Sequence, residues 1–101
     1  MNIVEKTTAV RDQLTLLVAF LERENERNWI RGARAALDSV TNVPSGQLER
    51  AYDEARSIYR TMEAGMGSFS DYYIQCDDQT ERYRLNKELS EIKDALWDLF
   101  K

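Results

Sequence analysis

The chain has 101 residues, of which 43% are hydrophobic, and its 18 acidic and 14 basic residues give a formal net charge of −4. This length suits one domain with a single core, and the apolar content excludes an intrinsically disordered chain. The acidic balance argues against a protein that binds nucleic acid or an anionic membrane surface, because both of these partners attract basic patches.

Helix one is predicted to run from about Ile3 to Glu24. Its apolar residues recur at helical spacing, at Val10, Leu14, Leu17, Val18 and Leu21. Asn2 and Glu5 have the spacing of an N-cap residue and its partner three positions later. Leu16 and Phe20 lie off this stripe, so we expect helix one to be apolar on more than one side and to be the most enclosed helix.

Helix two is predicted to follow a polar string, with Asn25 or Asn28 as its N-cap residue. Its apolar positions are Trp29, Ala33, Ala36, Leu37 and Val40. Gly32 interrupts this helix at a cost of about 1 kcal/mol relative to alanine, and close approach of a neighbouring helix would explain the glycine.

Helix three is predicted to follow a turn that contains the only proline, Pro44. It has the most regular 3.6-residue stripe in the chain, formed by Leu48, Ala51, Tyr52, Ala55, Ile58, Tyr59 and Met62. We expect this helix to end where Gly65 adopts the left-handed conformation of a C-terminal cap.

Helix four is predicted to start at the capping pair Asp78 and Glu81 and to run to the C-terminus. Its inner positions are Leu85, Leu89, Ile92, Leu96 and Leu99. Four amphipathic helices with short connections predict an all-α fold, an antiparallel four-helix bundle that forms one domain over residues 1–101. Trp97 and Phe100 are expected to cover the open end of this bundle.

An irregular, glycine-containing segment connects helices three and four. Gly65 and Gly67 permit positive φ there, and Ser68 or Ser70 can cap a helix end. Asp71 can accept hydrogen bonds from backbone amides of the same turn. Gly65, Gly67 and Ser68 are therefore interpreted as a structural turn.

Four apolar or aromatic residues follow this turn. We expect Phe69 and Ile74 to pack under the end of the bundle. Tyr72 and Tyr73 are adjacent and cannot both point inward, so at least one is expected at the surface.

The candidate binding site combines these tyrosines with the acids around them, namely Asp71, Tyr72, Tyr73, Asp77 and Asp78. Tyrosine beside charged side chains is typical of protein–protein interfaces. The alternative location for an interface is Trp29 with the charged surface of helix two.

The residues for catalysis or metal binding are few. The chain has no histidine and a single cysteine, Cys76, so it lacks the commonest general base and the commonest transition-metal ligand. The carboxylate pair Asp53–Glu54 lies on the polar side of helix three, and Asp77–Asp78 lies where a helix N-terminus favours anions. We predict no enzymatic activity, no cofactor and no metal site.

The sequence also gives an expectation about localisation. The N-terminus lacks the basic-then-apolar order of a signal peptide, and one cysteine cannot form an internal disulfide. The apolar run Leu16–Leu21 is far shorter than the roughly 20 residues of a transmembrane helix. We therefore expect a cytoplasmic protein that does not span a membrane.

The run from Gly65 to Asp71, GMGSFSD, resembles the signature of a family of small bacterial helical proteins. In that family the signature reads GMGS, then an aromatic residue or leucine, any residue, and aspartate. The family often carries a further glycine where this chain has Ala64. Some members resemble immunity proteins encoded beside polymorphic or type VI secreted toxins. The resemblance implies a cytoplasmic antitoxin that binds one cognate toxin domain and performs no chemistry itself.

Three functions are compatible with the residues. The first is this immunity protein, whose acidic surface would be steered towards a basic toxin. The second is an adaptor bundle that forms a homodimer through Trp97, Phe100 and a face of helix one. The third is a small-molecule or enzymatic role at the glycine turn, where Gly65 and Gly67 invite comparison with phosphate-binding loops. A helix rather than a strand precedes these glycines, which disfavours the third function.

Overall fold

The computed structural model describes residues 1–64 and 67–101, and this part of the chain is helical with no strand. The four helices are α1 (Ile3–Arg23), α2 (Trp29–Ser39), α3 (Leu48–Glu63) and α4 (Gln79–Leu99). Two short 3-10 turns, Ser45–Gln47 and Phe69–Asp71, precede α3 and α4. The predicted all-α helical bundle is confirmed.

Helix α1 begins as predicted. The Asn2 side chain accepts a hydrogen bond of 2.8 Å from the backbone N–H of Glu5, which satisfies one of the free amides at the helix start. The whole predicted stripe of α1 is buried, and so is Phe20. The expectation for Leu16 is wrong, because this side chain is 52% exposed. Leu16 lines a surface groove between α1 and α4, together with Glu91 and Ile92, and is not enclosed by the bundle.

The start of α2 differs from the prediction. Asn28 has helical dihedral angles and makes no side-chain cap, and Asn25 has a left-handed φ of 54°. The carboxylate of Glu26 accepts hydrogen bonds of 2.9 Å from the N–H groups of Asn28 and Ile30. The left-handed residue turns the chain so that a longer side chain folds back over the helix start, and this replaces the asparagine cap.

Helices α2 and α3 pack closely at Gly32, and the predicted close approach of a neighbouring helix at this glycine is confirmed. A Cβ atom at this position would lie 2.7 Å from the Met62 sulfur. Met62 lies at the end of α3 and Gly32 lies near the start of α2. A side chain at residue 32 would therefore compete for space with a buried methionine.

Helix α3 ends at Glu63, with Ala64 as its cap residue in an extended conformation. The predicted left-handed cap at Gly65 lies outside the described residues. Ile58 and Leu48 are partly buried rather than fully enclosed, although the rest of the predicted stripe is buried.

Helix α1 packs against all three other helices, and α2 packs against α3. Arg23 at the end of α1 forms an ion pair with Glu88 in the first half of α4. Lys6 near the start of α1 lies 5.1 Å from the ring centroid of Tyr52. The hydroxyl of Tyr52 donates a hydrogen bond of 2.6 Å to the carbonyl oxygen of Leu99 at the end of α4. The Lys6–Tyr52 contact joins the starts of α1 and α3, whereas the Tyr52–Leu99 hydrogen bond joins the start of α3 to the end of α4.

The two aromatic residues at the end of α4 have different environments. Phe100 is buried and packs 5.5 Å from the ring centroid of Tyr59, whereas Trp97 is 59% exposed. The expectation that both cover the end of the bundle is therefore wrong for Trp97. The same burial removes Phe100 from the surface expected for a homodimer.

Among the described residues, no helix combines the length and the apolar character needed to cross a membrane.

Candidate functional site

The turn after α3 is held by its own side chains. Gly67 has a φ of 70°, the left-handed conformation that glycine adopts without strain. Its N–H donates a hydrogen bond of 2.9 Å to the carboxylate of Asp71. The hydroxyls of Ser68 and Ser70 donate to the carbonyl oxygen of Glu63, at 3.0 Å and 3.1 Å. The two serines thus satisfy a carbonyl at the end of α3.

Phe69 anchors the segment in the core, as expected, and is completely buried. Its ring centroid lies 6.0 Å from that of Trp29, 5.9 Å from that of Tyr59 and 6.1 Å from that of Tyr72. The ring of Tyr72 is nearly parallel to that of Phe69, with an interplanar angle of 19°. Trp29 and Tyr72, which the sequence assigned to two alternative interfaces, therefore lie at the same end of the bundle.

Lys93 of α4 ties the backbone of this segment to the bundle. Its ammonium group donates hydrogen bonds of 2.9 Å and 2.8 Å to the carbonyl oxygens of Phe69 and Tyr72. Burial lowers the pKa of Lys93, although the nearby carboxylates of Glu63 and Asp71 oppose this change. Burial also raises the pKa of Glu63, and Lys93 and Arg60 oppose that change.

A second side chain from α4, Asn86, fixes the next part of the segment. Its Oδ1 accepts a hydrogen bond of 2.7 Å from the N–H of Ile74, and its Nδ2 donates one of 2.9 Å to the carbonyl oxygen of the same residue. Ile74 is buried, as expected. The backbone of the segment from Phe69 to Ile74 is therefore attached to α4 at three residues, Phe69, Tyr72 and Ile74.

The two tyrosines differ in exposure. Tyr73 is 58% exposed, which agrees with the expectation that at least one tyrosine lies at the surface. Tyr72 is partly buried, and burial, followed by the carboxylates of Glu26 and Glu24, raises the pKa of its hydroxyl. Tyr72 therefore faces the connection between α1 and α2, and Tyr73 faces solvent.

The three aspartates of the candidate site are all exposed, but two of them have structural roles. The side chain of Asp71 accepts a hydrogen bond from the N–H of Gly67. The side chain of Asp78 accepts one of 3.0 Å from the N–H of Glu81 at the start of α4. Asp77 makes no side-chain hydrogen bond or ion pair within residues 1–64 and 67–101. It is the aspartate best placed to meet a partner.

Lys93 and Asn86 were not predicted as part of this site. They lie seven residues apart on α4, and in the sequence each is an ordinary polar residue beside a helical stripe. Their roles depend on the path of another segment, which helical periodicity does not encode.

Side chains suited to metal binding do not gather in groups of three or more in the described part of the chain. No protein-family model, no curated protein and no solved structure matches this chain in the comparisons with known proteins. The family resemblance of residues 65–71 therefore depends on the sequence motif alone.

Proposed function

We propose that this chain is an immunity protein, an antitoxin that binds and neutralises one cognate secreted toxin domain. The contact surface we propose consists of Tyr73, Asp77 and the exposed edge of Tyr72, with Trp29 beside them. In this role the chain supplies a binding surface and no catalytic group. The sequence motif of residues 65–71 supports the type of partner.

The observation that carries the proposal is the exposed ring of Tyr73 on an anchored backbone. The neighbouring residues Tyr72 and Ile74 are held by Lys93 and Asn86, at 2.8 Å and at 2.7 Å respectively. A residue whose backbone is already fixed loses less conformational entropy when a partner binds. Tyrosine presented in this way is typical of the residues that contribute most to binding energy.

The charge around Tyr73 supports a basic partner. Asp77 and Asp78 follow it in the chain, and the protein carries a net charge of −4. Opposite charge on the toxin would increase the association rate, with strong dependence on salt. Toxin domains that act on nucleic acids are commonly basic, which fits this expectation.

The experiment is co-expression of the chain with the toxin domain encoded by a neighbouring gene, followed by affinity measurement on the purified complex. Tyr73→Ala should weaken binding mainly through faster dissociation, by about 2 kcal/mol for a residue at the centre of an interface. Asp77→Lys should slow association and reduce its dependence on salt.

Asp78 and Asp71 should not be reversed in charge in this experiment, because they cap α4 and brace the turn. Asp78→Asn keeps an N-cap acceptor and removes the charge. Leu16→Ala is the matched control, since Leu16 is exposed on α1 away from the segment. Full protection and unchanged affinity for both Tyr73→Ala and Asp77→Lys, in variants that melt like the parent, would reject this surface.

A further inference from the structure

Helix α4 carries an exposed face that the proposed toxin contact does not use. Its members recur at intervals of four, three, four and three residues, which places them on one side of a helix: Tyr83, Lys87, Ser90, Asp94 and Trp97. All five are exposed, and the two aromatic residues are among the most exposed large side chains of the protein, Tyr83 at 71% and Trp97 at 59%. We call this set the outer α4 face.

Part of the outer α4 face forms one wall of a surface groove. Tyr83, Lys87 and Ser90 line this groove together with Tyr73 from the preceding segment. Trp97 lies 14 residues from Tyr83, which corresponds to about 21 Å at a rise of about 1.5 Å per residue. One end of the face therefore offers an aromatic-lined groove, and the other end offers a large exposed aromatic side chain.

The charges on this face have no partners within the described residues. The ion pairs present there, such as Arg23 with Glu88, involve neither Lys87 nor Asp94. These two side chains are seven residues apart, about 10 Å along the helix, which is too far for an ion pair within one chain. Each is available to a charge on another molecule.

The spacing of these residues is symmetric about Ser90 to within one residue. Tyr83 and Trp97 each lie seven residues from Ser90, while Lys87 lies three residues before it and Asp94 four residues after it. When two identical helices pack antiparallel about a two-fold axis, a residue before the axis meets the residue equally far beyond it on the other copy. The outer α4 face is therefore complementary to itself.

We propose that the occupant of the outer α4 face is a second copy of this chain, packed antiparallel on α4 with the two-fold axis at Ser90. Tyr83 of each copy then meets Trp97 of the other, and Lys87 of each copy meets Asp94 of the other. Because the axis is two-fold, both contacts occur twice. The small side chain of Ser90 allows the two helices to approach to the usual distance of about 8–10 Å.

A partner whose charges are all of one sign fits this face less well than a second copy of the chain. An acidic segment would attract Lys87 and be repelled by Asp94, and a basic segment would do the reverse. A second copy brings opposite charges to both positions at once. Lys87 and Asp94 also lie on the same flank of the helix. In an antiparallel two-fold pair, this flank of one copy lies beside the same flank of the other copy. This inference goes beyond the proposed toxin binding and requires no toxin.

The experiment is sedimentation equilibrium of the full chain alone, from about 1 µM to about 500 µM, a range that covers micromolar association. The parent should form a dimer. Lys87→Asp and Asp94→Lys, each made alone, should weaken dimerisation by about tenfold, because each change replaces two ion pairs with two repulsive contacts. The double variant with both changes should restore the parent's dissociation constant.

Two further variants test the dimer without changing any charge. Trp97→Ala should weaken the dimer, whereas Leu16→Ala, at a similarly exposed residue on α1, should leave it unchanged. A parent that stays monomeric at the highest concentration would overturn the proposal. A double charge variant that remains as weak as the single variants would overturn the two-fold register at Ser90. Neither result would bear on toxin binding, which is measured with the toxin domain.

Discussion

The ammonium nitrogen of Lys93 lies 4.6 Å from the ring centroid of Phe69 and donates a hydrogen bond of 2.9 Å to the carbonyl oxygen of the same residue. A second hydrogen bond, of 2.8 Å, goes to the carbonyl oxygen of Tyr72. One side chain of α4 thus binds the backbone on both sides of the residues Ser70 and Asp71, at Phe69 and at Tyr72. Hydrogen bonds from a charged donor in a partly buried site are stronger than those between neutral groups.

We predict that Lys93→Met lowers the free energy of unfolding by about 1–3 kcal/mol, because two backbone carbonyls lose their donor and a cation–π contact is lost. Urea denaturation measures this change. Lys87→Met, at an exposed lysine of the same helix, should change stability by less than about 0.5 kcal/mol when both proteins are compared at low concentration. Equal losses at the two lysines would show that the Lys93 contacts contribute no stability.

The second prediction compares two tyrosine hydroxyls of α3. The hydroxyl of Tyr59 is buried and has no hydrogen-bond partner in the described part of the chain, and burial raises its pKa. The hydroxyl of Tyr52 donates to the Leu99 carbonyl oxygen at 2.6 Å. Tyr59→Phe should therefore be neutral or stabilising by up to about 1 kcal/mol, whereas Tyr52→Phe should cost about 1 kcal/mol.

Thermal and urea denaturation of the two phenylalanine variants provide the comparison. Each substitution removes one oxygen atom and keeps the ring, so the packing of the two sites changes little. A larger loss for Tyr59→Phe than for Tyr52→Phe would mean that the buried hydroxyl has a partner, such as a bound water molecule.

The third prediction concerns two glycines in connections between helices. Gly67 has a φ of 70°, whereas Gly46 has no positive φ and no atom within 4 Å of the position of a Cβ. Gly67→Ala should lower stability by about 1–2 kcal/mol because of backbone strain. Gly46→Ala should be neutral or stabilising by up to about 1 kcal/mol, because it only restricts the unfolded chain.

The two alanine variants serve as controls for each other in one set of urea denaturation curves. Similar midpoints for both would show that residue 67 tolerates a side chain in its native conformation. The turn would then depend on the Asp71 and Ser68 contacts rather than on the conformation of Gly67.

Much of the fold follows from local patterns in the sequence. The stripe of α1 and the caps at Asn2 and Asp78 are found as predicted, and so are the inner positions of α4 except Leu99, which is only partly buried. Each of these features depends on residues within one or two turns of the same helix. The burial of Phe69 and Ile74 also follows from their apolar character.

Features that depend on the relative position of two segments could not be predicted in this way. Leu16 and Trp97 are exposed and Ile58 is only partly buried, because the spacing of apolar residues within one helix does not show how far a neighbouring helix extends over each of them. Glu26 displaces Asn28 as the cap of α2 because of the left-handed turn before it. In the candidate site, the sequence indicated Tyr73 but gave no signal for Lys93 or Asn86.

The last prediction concerns the pH dependence of stability at Glu63. This carboxyl group is partly buried at the end of α3, and its pKa in the folded protein is raised above the ordinary value of 4.5, chiefly by burial. The folded protein therefore binds this proton more tightly than the unfolded chain does. The stability that comes from the protonated group is present below about pH 4.5 and is lost as the pH rises through the folded pKa. Ionised Glu63 thus opposes folding near neutral pH.

Glu63→Gln removes this titration while keeping the size of the side chain. Relative to the parent, the variant should gain stability as the pH rises from about 4.5 through the folded pKa of Glu63, and the difference should stay constant above that pKa. Urea denaturation of both proteins at several pH values measures the difference. Glu54→Gln, at an exposed carboxylate of the same helix, is the matched control and should not show this gain. A difference that is constant from acidic to neutral pH, or that favours the parent more as pH rises, would mean that Lys93 and Arg60 outweigh burial at Glu63.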